Sequence, residues 1–184
     1  MNNRKQSIII DIKKIGLILF FVFISNLFYA QYNEYEVKAV MIGKFTLFID
    51  WPEQSLKNSK EFNICLYGNR ELTLIFKRIY KSKKIKNLPV KITNISSVNK
   101  NIEKCNLLYI KNYKKKRVFR ILKRLKGKPV FIVSDNKSLT SKGAHIGFYL
   151  FENKIRFKIN YKSIKESKIF VSYLLLRAGE VIDQ

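Results

Sequence analysis

Short apolar runs of strand length alternate with stretches of helical spacing along most of this chain. That alternation limits the fold more than any other feature. Phe62–Tyr67, Leu107–Ile110 and Val130–Val133 are almost unbroken apolar runs, the pattern of strands buried on both faces. Val90–Ile95 alternates apolar with polar residues, a strand with one wet face. Between these runs, Glu71–Tyr80 carries Leu72, Ile75, Phe76 and Ile79 at helical intervals. Val118, Ile121, Leu122 and Leu125 repeat that spacing inside the basic run Lys111–Lys126. His145–Phe151 and Lys154–Ile159 flank Glu152-Asn153, a turn signal between two strands. Strands alternating with helices, closed by a hairpin, predict an α/β sandwich on a mostly parallel sheet. There is no internal repeat and no low-complexity linker to divide the chain.

Two helices are expected at the ends of this pattern. Tyr35–Trp51 has apolar residues all round, with Val37, Val40, Met41 and Phe48 on one side and Ile42, Phe45 and Ile49 on another. A helix without a polar face is buried on more than one side. The closing helix spans about Tyr161–Ala178, with Asn160 as its N-cap. Ile164, Val171, Leu174, Leu175 and Ala178 share one face of it, and Ile169, Tyr173 and Leu176 the nearly opposite one. A helix apolar on both faces buries the second against its own domain or against a partner. Gln54–Lys60 and Lys81–Asn87 read as loops.

The first thirty residues bear on location. Arg4, Lys5, Lys13 and Lys14 precede the apolar run Ile15–Ile24, and Ala30 closes the stretch before a polar segment. That order is a secretory signal, and the run is short of the roughly twenty apolar residues that span a membrane. Residues 1–30 are therefore expected to be a signal peptide, cleaved after Ala30, with 31–184 as one mature domain. Phe28 is bulky where a small residue is usual, so an uncleaved anchor is the alternative. Cleavage leaves 33 basic against 12 acidic residues, a net charge of +21. A charge this high suggests nucleic acid, but an exported protein does not meet the chromosome. Lysine spread over the whole surface is the plainer reading. The densest run is a solvated helix face, with an acidic partner or anionic lipid as the alternative.

Several short motifs follow one another along the chain: Glu36-Val-Lys-Ala leading to Phe45, Ile49-Asp50-Trp51-Pro52, Phe62-Asn-Ile-Cys65 and Cys105-Asn-Leu-Leu-Tyr-Ile110. They continue with Pro129-Val-Phe-Ile-Val-Ser-Asp135, Ile155-Arg-Phe-Lys-Ile-Asn160 and Leu174-Leu-Leu-Arg177. Together, from about Tyr35 to Val181, they resemble the YfiR family of bacterial periplasmic regulatory proteins. The resemblance implies a Rossmann-like three-layer sandwich. It also implies a non-enzymatic regulator that binds an inner-membrane signalling protein of cyclase or kinase type, such as a diguanylate cyclase, and so affects cyclic-di-GMP. The alternative is an envelope module that senses a small molecule without catalysis. A second copy of the chain is the other candidate occupant of an apolar face.

The candidate sites are few. Cys65 and Cys105 each lie in or just before an apolar strand, and an even count in an exported chain favours a disulfide. A redox-sensitive bond, a plain staple and two buried thiols all remain open. The resemblance favours the first, although this chain lacks the second cysteine pair that relatives can carry. Ile169, Tyr173 and Leu176 are the candidate partner-binding residues. His145, the single histidine, has no neighbouring ligand cluster or nucleophile motif and reads as structural. Asp135 and Asn136 after their strand read as turn formers. Gly68-Asn69-Arg70 lacks the glycine pattern of a dinucleotide loop or a P-loop. No catalytic residue, metal or cofactor is expected.

Overall fold

The computed structural model describes residues 33–68, 70–95, 100–111 and 115–182. The signal segment 1–30 and Asn69 lie outside the described residues.

The strands are β1 (Ile49–Asp50), β2 (Phe62–Tyr67), β3 (Lys84–Ile85), β4 (Leu88–Asn94), β5 (Leu107–Ile110), β6 (Phe131–Ser134), β7 (Ile146–Phe151), β8 (Lys154–Asn160), β9 (Phe170–Val171) and β10 (Glu180–Ile182). The α-helices are α1 (Glu34–Phe45), α2 (Glu53–Leu56), α3 (Arg70–Tyr80), α4 (Lys115–Leu125), α5 (Tyr161–Glu166) and α6 (Tyr173–Ala178). Short 3-10 turns cover Thr46–Phe48, Lys100–Lys104 and Lys137–Lys142.

Eight strands form one sheet in the order β10-β8-β7-β6-β5-β2-β4-β3. All neighbours are parallel except the hairpins β7–β8 and β3–β4. The expected α/β architecture with a mostly parallel sheet is the one observed. Each hairpin turns on two residues of positive φ, Lys86-Asn87 and Glu152-Asn153. That is the turn geometry whose twist matches the flanking strands. The sequence shows the second of these and misses β3, whose two residues lie in a lysine-rich stretch read as a loop.

Strand alternation divides the interior into two cores. Ile64 and Leu66, Leu107 and Tyr109, and Phe131 and Val133 face α1 and α3. Cys65 and Tyr67, Leu108 and Ile110, and Ile132 face α4, where Val118, Ile121, Leu122 and Leu125 are all buried. The sheet thus lies between two helical layers, the three-layer sandwich, because successive strand residues point to opposite faces.

The carboxyl edge of the parallel strands is where α/β proteins usually hold ligands, at the point where connections leave to opposite faces. Here that point lies between the ends of β2 and β5, since β2 continues into α3 and β5 towards α4. Side chains pack closely on Gly68 there. A Cβ on Gly68 would lie 2.7 Å from the Leu72 side chain and 3.4 Å from that of Lys111.

At the amino end, α1 stops at Phe45, and the chain passes through a 3-10 turn into β1 rather than continuing helical to Trp51. Its interior face is Lys38, Ala39, Ile42 and Phe45, while Val40 is exposed. Trp51 packs edge-on to Phe62 with ring centroids 5.1 Å apart, and its Nε1 donates to the Asn106 carbonyl at 3.0 Å.

Candidate functional site

The expected closing helix is two short helices with a strand between them. The Asn160 side chain accepts from the Ser163 N–H at 2.8 Å and starts α5, as the sequence predicts. The helix ends at Glu166, and Lys168 has a φ of 56°. Ile169-Phe170-Val171 follows, β-branched and aromatic residues that fit a pleated strand better than a helix. β9 pairs antiparallel with β1, with Val171 opposite Ile49, and the Ser172 N–H donates to the Phe48 carbonyl at 2.8 Å. Ser172 then caps α6, its hydroxyl accepting from the Leu174 N–H at 3.3 Å. The sequence carries both signals, Ile169-Phe170-Val171 followed by Ser172 for a strand and a cap, and helical spacing across the same residues.

The face shared by Ile169, Tyr173 and Leu176 therefore does not exist. Ile169 is only 3% exposed and belongs to the main core. Leu176 is partly buried against the same core. Tyr173 stands out at 69% exposure. The exposed apolar side chains of this region are instead Phe170 (72%), Tyr173 and Leu174. The β1–β9 pairing brings the segment of Leu47, itself 75% exposed, alongside them. Neither Phe170 nor Leu47 stood out in the sequence, because their exposure follows from the bridge between two chain ends.

Cys65 and Cys105 form a disulfide with their Cα atoms 5.8 Å apart. β2 and β5 are sheet neighbours, and Cys105 lies two residues before Leu107, which pairs with Ile64. Both sulfurs lie in the α4-side core, with each cysteine under 5% exposed.

Among the described residues, the most buried charged side chain, Lys38, lies at the carboxyl edge, above β5 and β6. Lys38, 3% exposed, forms ion pairs with Glu34 one helical turn away and with Asp135 after β6. Asp135 thus anchors α1 to the sheet and is not the self-bonding turn former expected. Asn136 does take that role, its side chain accepting from the Ser138 N–H at 2.9 Å. Lys111 lies over the Tyr35 ring, 3.6 Å from its centroid. Burial, then the Asp135 carboxylate, raises the Tyr35 pKa. The Tyr109 pKa is raised by the same two causes in the same order. Its hydroxyl is fully buried beside the Asp135 carboxylate. Removing one partner of a buried ion pair costs about 3–5 kcal/mol, so this cluster holds the first helix in place. Among the described residues no group of His, Cys, Asp and Glu is arranged to hold a metal.

His145 is a structural histidine. Its Nδ1 accepts from the Ile132 N–H at 3.2 Å, so the ring proton is on Nε2, which donates to Ser167 Oγ at 3.1 Å. Ser167 Oγ in turn donates to the Ser163 carbonyl at 3.1 Å. Burial pushes the imidazole pKa down to about 3, keeping it neutral.

A family model described as YfiR/HmsC-like matches residues 35–180. The chain belongs to the YfiR/HmsC-like family. One solved structure supports the fold. A conserved domain protein from Vibrio cholerae O1 biovar El Tor superposes with a TM-score of 0.54 at 11% identity, over 82% of this chain and 60% of that one. The ABC domain in complex with L-Trp from Streptococcus pneumonia gives a TM-score of 0.44 at 14% identity, over 69% of this chain and 56% of that one. The chain thus spans less than two thirds of either. No curated protein matches the chain. No helix among the described residues is long and apolar enough to cross a membrane.

Proposed function

We propose that this protein is exported, loses residues 1–30, and acts in the periplasm as a non-catalytic regulator in cyclic-di-GMP signalling. It docks on the periplasmic part of an inner-membrane signalling protein of cyclase or kinase type. Membership of the YfiR/HmsC-like family supports the signalling role. The observation that carries the docking is the exposed set of Leu47 in the 3-10 turn before β1, Phe170 on β9, and Tyr173 and Leu174 on α6. Burying such a side chain is worth about 1.5–3 kcal/mol, and several together offset the freedom lost on association. The β1–β9 ribbon is tied to the core through Ile49 and Val171, so the exposed side chains are presented on a fixed backbone.

The test pairs Phe170→Asp with Leu174→Asp. Cells lacking the gene are complemented with the wild type or the double variant, and cyclic-di-GMP is measured. The wild type is expected to restore the parental level. The variant, exported in equal amount and melting within a few degrees of the wild type, is expected not to. Full restoration by the variant sinks the docking surface. Sedimentation of the purified protein separates a second copy from a membrane partner: a wild-type dimer split by the same pair identifies self-association. Export is checked by the intact mass of the envelope form, expected to start at Gln31. A full-length protein held in the membrane replaces the cleaved signal with an anchor.

A further inference from the structure

We propose that the cleft between α4, the 3-10 turn Lys137–Lys142 and α5 binds a small phosphate-bearing molecule with at least two negative charges. The cleft has a volume of about 480 Å³, within the usual range of ligand pockets. Lys123 reaches it from α4 and Lys126 from just beyond its end, Lys142 from the turn and Lys162 from α5. The one acid in its lining, Glu166, lies 3.7 Å from Lys126. Lys123, Lys142 and Lys162 make no ion pair among the described residues. Like charges brought together from three separate elements repel, and a polyanion seated between them relieves that repulsion.

The floor is built rather than incidental. Asn160, 5% exposed, donates to the Thr140 carbonyl at 2.7 Å while its oxygen caps α5. The Ser163 hydroxyl donates to the Gly143 carbonyl at 3.0 Å. Gly143 has a φ of 107°, the left-handed region that favours glycine, and this lets the chain turn under the cleft. The His145–Ser167–Ser163 chain of hydrogen bonds holds α5 from behind. The walls therefore need little reordering when a ligand arrives. Phe119 and Leu122 supply an apolar side, giving room for a non-polar part of the same molecule. This cleft lies at the amino edge of the parallel strands, away from the Lys38–Asp135 cluster, and the inference is independent of the docking surface.

The phosphate can belong to a free solute or to a lipid headgroup, and two probes separate these sources. Purified protein is titrated calorimetrically with pyrophosphate, and its co-sedimentation with phosphatidylglycerol vesicles is measured against phosphatidylcholine vesicles. Lys142→Ala with Lys162→Ala is compared with Lys57→Ala with Lys60→Ala, which removes the same charge from an exposed loop elsewhere. Saturable one-to-one binding of pyrophosphate is expected, weakened about tenfold or more by the cleft pair and less than about twofold by the loop pair. Binding to the anionic vesicles alone, lost with the cleft pair only, assigns the same site to a headgroup. Equal losses in the two double variants, or no saturable binding to either probe, overturn the proposal. Melting temperatures of both variants, expected to match the wild type, show that any loss is not unfolding.

Discussion

At the residue scale, two polar side chains are buried for opposite reasons. Lys38 is buried as the ion-pair partner of two carboxylates, Asp135 and the more exposed Glu34. His145 enters neutral, because its hydrogen bonds use the neutral tautomer and burial disfavours the imidazolium. The second case has a pH consequence with a definite sign. The folded imidazole titrates near 3, whereas an unfolded one titrates near its ordinary 6.5. Between those values the unfolded chain binds the extra proton. The stability is therefore fully present above pH 6.5 and is lost as pH falls towards 3, with a slope of up to about 1.4 kcal/mol per pH unit. Thermal melts from pH 7 to pH 4 on the wild type and His145→Gln should show the gap between them shrinking as pH drops. A gap that stays constant over that range would mean that the histidine does not change protonation on unfolding.

At the element scale, the carboxy-terminal segment is the instructive departure. Helical periodicity over 161–178 is real, since Ile164 and Leu175 do face the core. Periodicity alone does not weigh a β-branched run that can pair with another strand, and β1 supplies that partner. Ile169 consequently moves from a proposed outer face to the core, where it is 3% exposed. Ile169→Asp is therefore expected to unfold the domain, since it buries an unpaired carboxylate. Phe170→Asp, one residue on at 72% exposure, is expected to leave the melting temperature nearly unchanged. Circular dichroism melts of the two single variants check this directly. Similar, small effects from both would restore the continuous helix and withdraw the strand.

At the scale of the whole molecule, the disulfide joins β2 to the segment leading into its parallel neighbour β5, across a sequence separation of 40 residues. Such a closure contributes roughly 4 kcal/mol by restricting the unfolded chain, on the order of 10 °C in a domain of this size. Cys65→Ala with Cys105→Ala should melt lower by about that amount and keep the native circular dichroism spectrum. Its buried position adds a kinetic expectation: dithiothreitol reduces the native protein slowly and the partly denatured protein fast. Rapid reduction under native conditions would show that the bond is reachable without opening the α4-side core.

How much of this was legible in the sequence varies with the range of the interaction. β2 and β5, the buried face of α4, the Glu152-Asn153 turn and the Asn160 cap are local patterns, each decided by residues a few positions apart. They were readable because burial on a helix or strand imposes a fixed period. The sequence also placed both cysteines at strands that could neighbour each other, and the ordered motifs pointed to the family. The tertiary structure alone decided that Lys38 meets Asp135 across 97 positions, that β1 captures β9, and that four lysines converge on one cleft. The physical reason is that side-chain period reports which way a residue faces, not what it faces. Partners distant along the chain are chosen by the stacking order of the sheet and by the few charged or apolar groups left over once the cores are filled.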